Sequence, residues 1–349
     1  MSIKKKYSHL GLSIVFYLVV SNILAAIAIG IASSVYTFKY LFALMQSGEI
    51  ADASTMDPRL VSEIASKFST ENAALVNLLS MGISYFIVIP LTILILNSKK
   101  YKDIPIKGAF KFSTPYEDSM KKTLSPGEFF NFLMFMFPMG IIGSAIGSTL
   151  AYIITAITGN NMSDLLTSML SNMSLPAVLL LSVILAPIFE EILFRYAVIG
   201  YARRFGEWNA IIISALIFGL IHTNIFQFFY AFLLGIILGY VYVYTRRLIY
   251  TIIMHVTFNF FGAFVPMLID PTLSGKATPV MIAYTAFQYL LAVVGLILLI
   301  LFVKKGNLLE TTPNAPIPGK FSKDSILNFG MIALIIVCIG LTVFIAMSM

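Results

Sequence analysis

Long apolar stretches broken by short polar or charged segments set the pattern of this chain. Runs at about 10–38, 73–96, 128–157, 176–202, 208–223, 226–245, 248–267, 280–303 and 326–348 read as helices that cross a bilayer, which takes roughly 20 residues at about 1.5 Å each. The fold class expected is all-α, a polytopic transmembrane helical bundle of about nine spans, with 208–223 the shortest. Lys4, Lys5 and Lys6 followed by an apolar run and an Ala26-Ile27-Ala28 step resemble a signal peptide. The run continues well past that step, so an uncleaved first span is expected.

Between the runs, local chemistry marks further elements. In the polar, acidic segment 46–72, Pro58 opens a helix with Leu60, Ile64 and Phe68 on one face, which either lies on the membrane surface or packs on other loops, the packing being favoured. Ser125-Pro126-Gly127-Glu128 combines a capping box with proline at the first helical position, a strong start for the third span. Gly143 with Gly147, and Gly235 with Gly239, suit close helix packing. Pro313, Pro316 and Pro318 make 313–320 a stiff linker before the last span. Three regions are expected: 1–157 with an outer loop (46–72) and a basic inner loop (98–128), a core at 175–267, and a two-span region at 268–349.

Composition narrows the class. With 59% hydrophobic and 11% charged residues over 349 positions, and a mean hydropathy of +0.92, the chain is not an ordinary soluble globule. The single cysteine, Cys338, excludes an intrachain disulfide and a cysteine-based zinc cluster. A net charge of +7 would suggest nucleic acid in a soluble protein, but here the distribution matters more. Placing the N-terminus in the cytoplasm puts 18 of the 23 Lys and Arg in inner loops and only Arg59, Lys67 and Lys276 in outer ones. The expectation is an integral, multi-pass protein with a cytoplasmic N-terminus and an outer C-terminus, in the plasma membrane if the source is prokaryotic. Its surroundings are the lipid bilayer, and no nucleic-acid partner is expected.

The fourth run contains Glu190, Glu191 and Arg195, and charges at that depth are costly unless paired or hydrated. Glu191 and Arg195 are four apart and share a helix face, so they can pair, while Glu190 points elsewhere. Pro187 cannot donate to the Val183 carbonyl, so the helix can bend there and admit water. His222 and His255 lie in the fifth and seventh runs, Phe218 precedes His222 by four residues, and Asn259 follows His255 by four. Depths of roughly 20 Å for Glu190, Glu191 and His222, and about 10 to 15 Å for His255, let them converge in one cavity. Each histidine alone is explained by a bond to a neighbouring carbonyl or hydroxyl; their joint placement favours a site. Carboxylate, imidazole and amide can activate water and stabilise an oxyanion, and imidazole and carboxylate can also bind zinc.

Glu190-Glu191-x-x-x-Arg195, Phe218-x-x-x-His222 and His255-x-x-x-Asn259, in that order on successive spans, resemble the CPBP family of intramembrane proteases. That family includes the type II CAAX prenyl endopeptidases and bacterial bacteriocin-processing and immunity proteins. The resemblance covers about 175–265. It implies that Glu190 activates water with help from His222, that His255 and Asn259 bind metal or stabilise the oxyanion, and that Glu191 with Arg195 holds the helix and tunes the site. It also implies a divalent metal, zinc, held by Glu190, His222 and His255. The HExxH motif of other metalloproteases is absent.

Three functions are compatible with the sequence. The first is an endopeptidase that cuts a membrane protein or peptide precursor in or near the bilayer and is reached from the cytoplasmic side. The second is a non-catalytic scaffold that regulates a partner membrane protein or confers bacteriocin immunity. The third, a proton-coupled transporter, lacks internal repeats and paired broken helices.

Overall fold

Why the apolar runs become the observed helices is clearest at their ends. A computed structural model describes residues 3–49, 57–98, 122–159, 162, 164–306, 309 and 321–348. Most of the basic loop 98–128 and the linker 313–320 lie outside these residues. Among the described residues there are eleven helices: α1 Ile3–Gln46, α2 Pro58–Glu71, α3 Ala73–Leu96, α4 Pro126–Thr158, α5 Leu165–Ser171, α6 Leu175–Ala202, α7 Glu207–Leu220, α8 Ile225–Thr245, α9 Leu248–Ile269, α10 Pro279–Lys304 and α11 Phe329–Ser348. No strand occurs among the described residues. Eight of the helices are long and apolar enough to cross a membrane.

The ninth expected span is α7, of 14 residues. It ends early because Thr223 turns to φ +47° and the Asn224 side chain accepts the Phe226 N–H to start α8. α7 runs inside the bundle rather than at its surface. Asn209, Ala210, Ile211, Ile213, Ser214, Ala215 and Ile217 are wholly buried.

α1 departs from its expected span in length. It has 44 residues, about 66 Å of helix, roughly twice the thickness of a bilayer core. No proline interrupts it, and its far end is supported by α2. There Tyr36 packs on Phe68 with ring centroids 5.5 Å apart and bonds Glu71 through its hydroxyl. α2 begins as its sequence predicts, with Asp57 capping Arg59 N–H and Ile64 and Phe68 buried. The Ser125–Glu128 capping box also forms at the start of α4.

Contacts fix which helix ends lie together. Tyr201 donates to the Lys6 carbonyl, Arg203 donates to Val243 O, Lys122 N–H to Thr245 O, and Lys4 pairs with Asp324 at 3.8 Å. Phe302 packs on Phe132 and Tyr240, which brings Lys304 and Lys305 to the same level. One end of the bundle therefore gathers Lys4–Lys6, Lys122, Arg203, Arg246, Arg247, Lys304, Lys305 and Lys323. At the opposite end, Asn224 donates to Asp164 at 2.8 Å, joining the start of α5 to the α7–α8 turn.

The first and last spans are locked together at the basic end. α11 packs along α1, and Gly11 and Gly330 let the backbones meet. Asn209 of α7 reaches Tyr7 and Ser325, and its oxygen accepts from Ser322 N–H at 3.0 Å. In α4, a Cβ on Gly143 would overlap the Tyr230 backbone of α8, and one on Gly147 would stand 2.7 Å from Ile225 O. The close approach expected at these glycines is present.

Candidate active site

Helix α6 brings the acids to the centre, and it does so by changing pitch. It is α-helical only at Leu175–Ala177, Ala186–Glu191 and Gly200–Ala202; Val178–Leu185 and Ile192–Ile199 are π-helical. Similar widening occurs in α3 at Ser84–Val88 and in α9 at Phe260–Phe264. Pro187, Pro90 and Pro266 each stand two residues beyond such a stretch. A proline has no N–H for the carbonyl four residues back, and its ring collides with that carbonyl, so an extra residue in the preceding turn relieves the clash. At Pro187, where a bend was expected, α6 shows this widening. The three widened segments that precede these prolines border one cavity, contributing Tyr85, Ser182 and Gly262 to its wall.

The two neighbouring glutamates have different surroundings. Glu191 is fully buried, with Oε2 3.0 Å from Arg195 Nε, itself fully buried. The alignment falls short of a straight hydrogen bond, so the contact is an ion pair. Arg195 also lies 4.8 Å over the Phe218 ring and donates weakly to Ser214 at 3.4 Å. Ser214 in turn donates to Phe194 O. Glu190 is 21% exposed and borders the cavity.

Both histidines flank these acids. His255 Nδ1 is 3.0 Å from Glu191 Oε1, and its Nε2 is 3.6 Å from Glu190 Oε2. A carboxylate on one nitrogen orients the ring and directs the other at Glu190. His222 Nδ1 is 2.7 Å from Phe218 O. A carbonyl only accepts, so Nδ1 carries the hydrogen and Nε2 presents a lone pair. The Phe218 ring meets both imidazoles edge-on, at 5.0 Å from His222 and 5.7 Å from His255. Asn259 donates from Nδ2 to Ser182 O at 2.9 Å, a carbonyl within the widened part of α6.

Glu190, His222, His255 and Asn259 thus border one cavity of about 630 Å³. Glu191 and Arg195 lie behind its wall. Tyr85, stacked 4.7 Å from Phe189, and Ser182 also line it. Sequence reasoning missed both. Neither belongs to a spaced motif, although Pro90 and Pro187 mark the turns that carry them.

The fit to zinc is incomplete. Tetrahedral zinc takes ligand atoms at about 2.0–2.2 Å from a common point. Among the described residues no three His, Cys, Asp or Glu side chains are grouped in that way. Glu190 and His255 form a close pair, and His222 borders the same space without completing a ligand set.

The cavity opens at the end opposite the basic residues. Beyond His222 and Asn259 its lining passes through Gly262, Ala263 and Pro266 to Asp164–Leu170 and to Asp270, Leu273 and Gly275. Access from the cytoplasmic side was expected together with a cytoplasmic N-terminus. The lining does not extend toward the basic end, where α6 from Leu193 to Ala202 is buried except at Tyr196.

Fold and cavity together define a multi-helix membrane protein with an acid, imidazole and amide site enclosed at its centre. Residues 172–261, about a quarter of the chain, match the sequence family described as type II CAAX prenyl endopeptidase Rce1-like. All three motifs fall within that stretch, and the match supports the resemblance to the CAAX-type protease family drawn from them. No curated protein and no solved structure was found to match the chain.

Proposed function

We propose that the protein is an intramembrane endopeptidase in which Glu190 activates the attacking water. The observation that carries this reading is the 3.6 Å separation of Glu190 Oε2 from His255 Nε2 inside a largely apolar cavity. It exceeds a direct hydrogen bond and suits two groups that share a water. The lone pair on His222 Nε2 supplies a further acceptor.

The chemistry needs few parts. Glu190 takes a proton as the water oxygen bonds to the peptide carbonyl carbon, and the tetrahedral oxyanion forms. Asn259 has a second amide hydrogen, not used by Ser182, that suits oxyanion stabilisation. The carbon–nitrogen bond then breaks, and the proton on Glu190 passes to the departing amine. Glu191 and Arg195 act as positioning residues, Glu191 by holding His255 and Arg195 by neutralising Glu191. The substrate on this reading is a membrane-associated protein or peptide precursor.

The test compares the N-termini of membrane and secreted peptides in cells carrying the wild type or Glu190→Ala, with the protein quantified in each. A cleaved end that appears only with the wild type supports the proposal and identifies the substrate. Identical profiles at equal protein levels overturn it.

A further inference from the structure

The two ends of the site differ in a way that bears on which peptides reach it. From Leu193 to Ala202 every residue of α6 except Tyr196 is buried, nearly all of them to 0% or 1% exposure. Thirteen residues separate Glu190 from Arg203, about 20 Å of helix. Across that depth α6 is closed in by Tyr7 and Leu10 of α1, Ile93 and Leu96 of α3, Ile211 of α7 and Leu238 of α8, all buried within the same apolar core. No lining residue of the cavity lies in this layer. Around α6 this layer is closed, and the separate cavity at the basic end, lined by Lys122, Phe135, Tyr240 and Lys305, shares no lining residue with the site.

At the opposite end the cavity is framed by two short segments. One is α5, with Asp164, Leu166 and Met169 on the lining, and the other is the turn at Asp270–Gly275. α5 is tied to the α7–α8 turn through the Asp164–Asn224 bond, and the 270–275 turn is braced within itself by Asp270, which accepts from Thr272 and Ser274. The walls between frame and acids are mostly apolar, with Met81, Tyr85, Phe218, Leu234, Phe258 and Ala263. No Lys or Arg among the described residues lines the cavity.

Loops rich in Lys and Arg stay in the cytoplasm. The end beyond the closed layer carries the basic residues, and the described basic residues of the outer loops are only Arg59, Lys67 and Lys276. We infer that the site takes its substrate from the non-cytoplasmic face, as an extended apolar peptide segment that enters between α5 and the Asp270–Gly275 turn. This rests on the endopeptidase reading and specifies its substrate class: exported or membrane-anchored peptides whose scissile bond lies at the outer half of the bilayer. A prenylated C-terminus presented in the cytoplasm would meet the closed layer.

The experiment uses the full chain with its only cysteine replaced by Cys338→Ala. Thr167→Cys on α5 and Met281→Cys at the start of α10 place a thiol on the cavity frame, and Lys305→Cys places one at the basic end. Intact cells are treated with a membrane-impermeant maleimide. Both frame thiols are expected to be labelled, and the Lys305→Cys thiol only after permeabilisation; the reverse order overturns the inference whatever the fate of the protease reading. Treatment with a polyethylene glycol maleimide, which fills the frame, is then expected to abolish the Glu190-dependent cleavage in intact cells carrying Thr167→Cys or Met281→Cys. Full cleavage with both frame positions occupied overturns entry by this route. If no Glu190-dependent cleavage exists in untreated cells, the endopeptidase reading fails, and the labelling order still decides which face the cavity opens on.

Discussion

The two halves of helix α6 share one apolar composition and do opposite things. From Leu193 to Ala202 it is encased in the core. From Leu175 to Glu190 it borders the cavity through Ser182, Ala186 and Glu190, while Leu180 and Ile184 on other faces are exposed. The acids fall at the junction, Glu191 on the packed side with Arg195 and Glu190 on the open side. A costly group can work in a membrane when the next residue along is rigidly held, because the holding and the chemistry are then divided between neighbours.

The largest expected effect exploits that division. Glu190→Gln keeps the size and most hydrogen bonding of the side chain and removes its ability to take a proton. Cleavage should fall by about 10²–10⁴-fold with protein level and melting temperature close to wild type. A variant that retains cleavage would move water activation away from Glu190. On the packed side the consequence is reversed. Arg195→Ala leaves Glu191 buried without its cation, a loss of about 3–5 kcal/mol for breaking a buried pair. Thermal unfolding in detergent should show a clear drop for this variant, and cleavage lost at an unchanged melting temperature would contradict the holding role.

An intermediate effect is expected where the halves join. Pro187→Ala restores the N–H that the widened turn dispenses with, so Val178–Leu185 can tighten to an α-helix. Successive residues on a helix are offset by about 100°, and a changed turn count before Glu190 would swing it from the cavity. Cleavage should fall by up to about 10²-fold, the cost of a displacement near 1 Å, while stability holds or rises. Equal losses of cleavage and stability would show that the proline serves packing alone.

Much of this division was legible beforehand. The i,i+4 spacing gave the Glu191–Arg195 pair, the histidine and asparagine spacings gave three sides of the cavity, and Pro187 marked the changed turn. Depth arithmetic put Glu190, His222 and His255 at compatible levels. It did not bear on the entrance, because depth says how far a residue lies along a helix and nothing of which neighbours close over it. Tyr85 and Ser182 were invisible for a related reason: they come from separate helices and carry no charge whose burial would demand an explanation. The length of α1 was hidden because the run of apolar residues marks the bilayer, and the helix continues beyond it wherever nothing breaks it.

The smallest effect concerns the cavity's frame. Asp270 accepts from the hydroxyls and the N–H groups of Thr272 and Ser274, and these bonds, the hydroxyls first, hold its carboxyl below the ordinary aspartate value. A carboxyl lowered in the folded state contributes its support above the unfolded value, about 3.9, and loses it as pH falls through the lower folded value. The turn should therefore keep its order from neutral pH down to about 4 and loosen only in stronger acid. Hydrogen exchange at Thr272 and Ser274, corrected for the intrinsic pH dependence of exchange, measures this: their protection should be flat across the upper range and decline below it. Asp270→Asn retains one acceptor oxygen and loses the charge, so protection should be lower at neutral pH and no longer vary with acidification. If protection in the wild type already declines near pH 6, a different group supports the turn, and the frame of the cavity is tied to something other than Asp270.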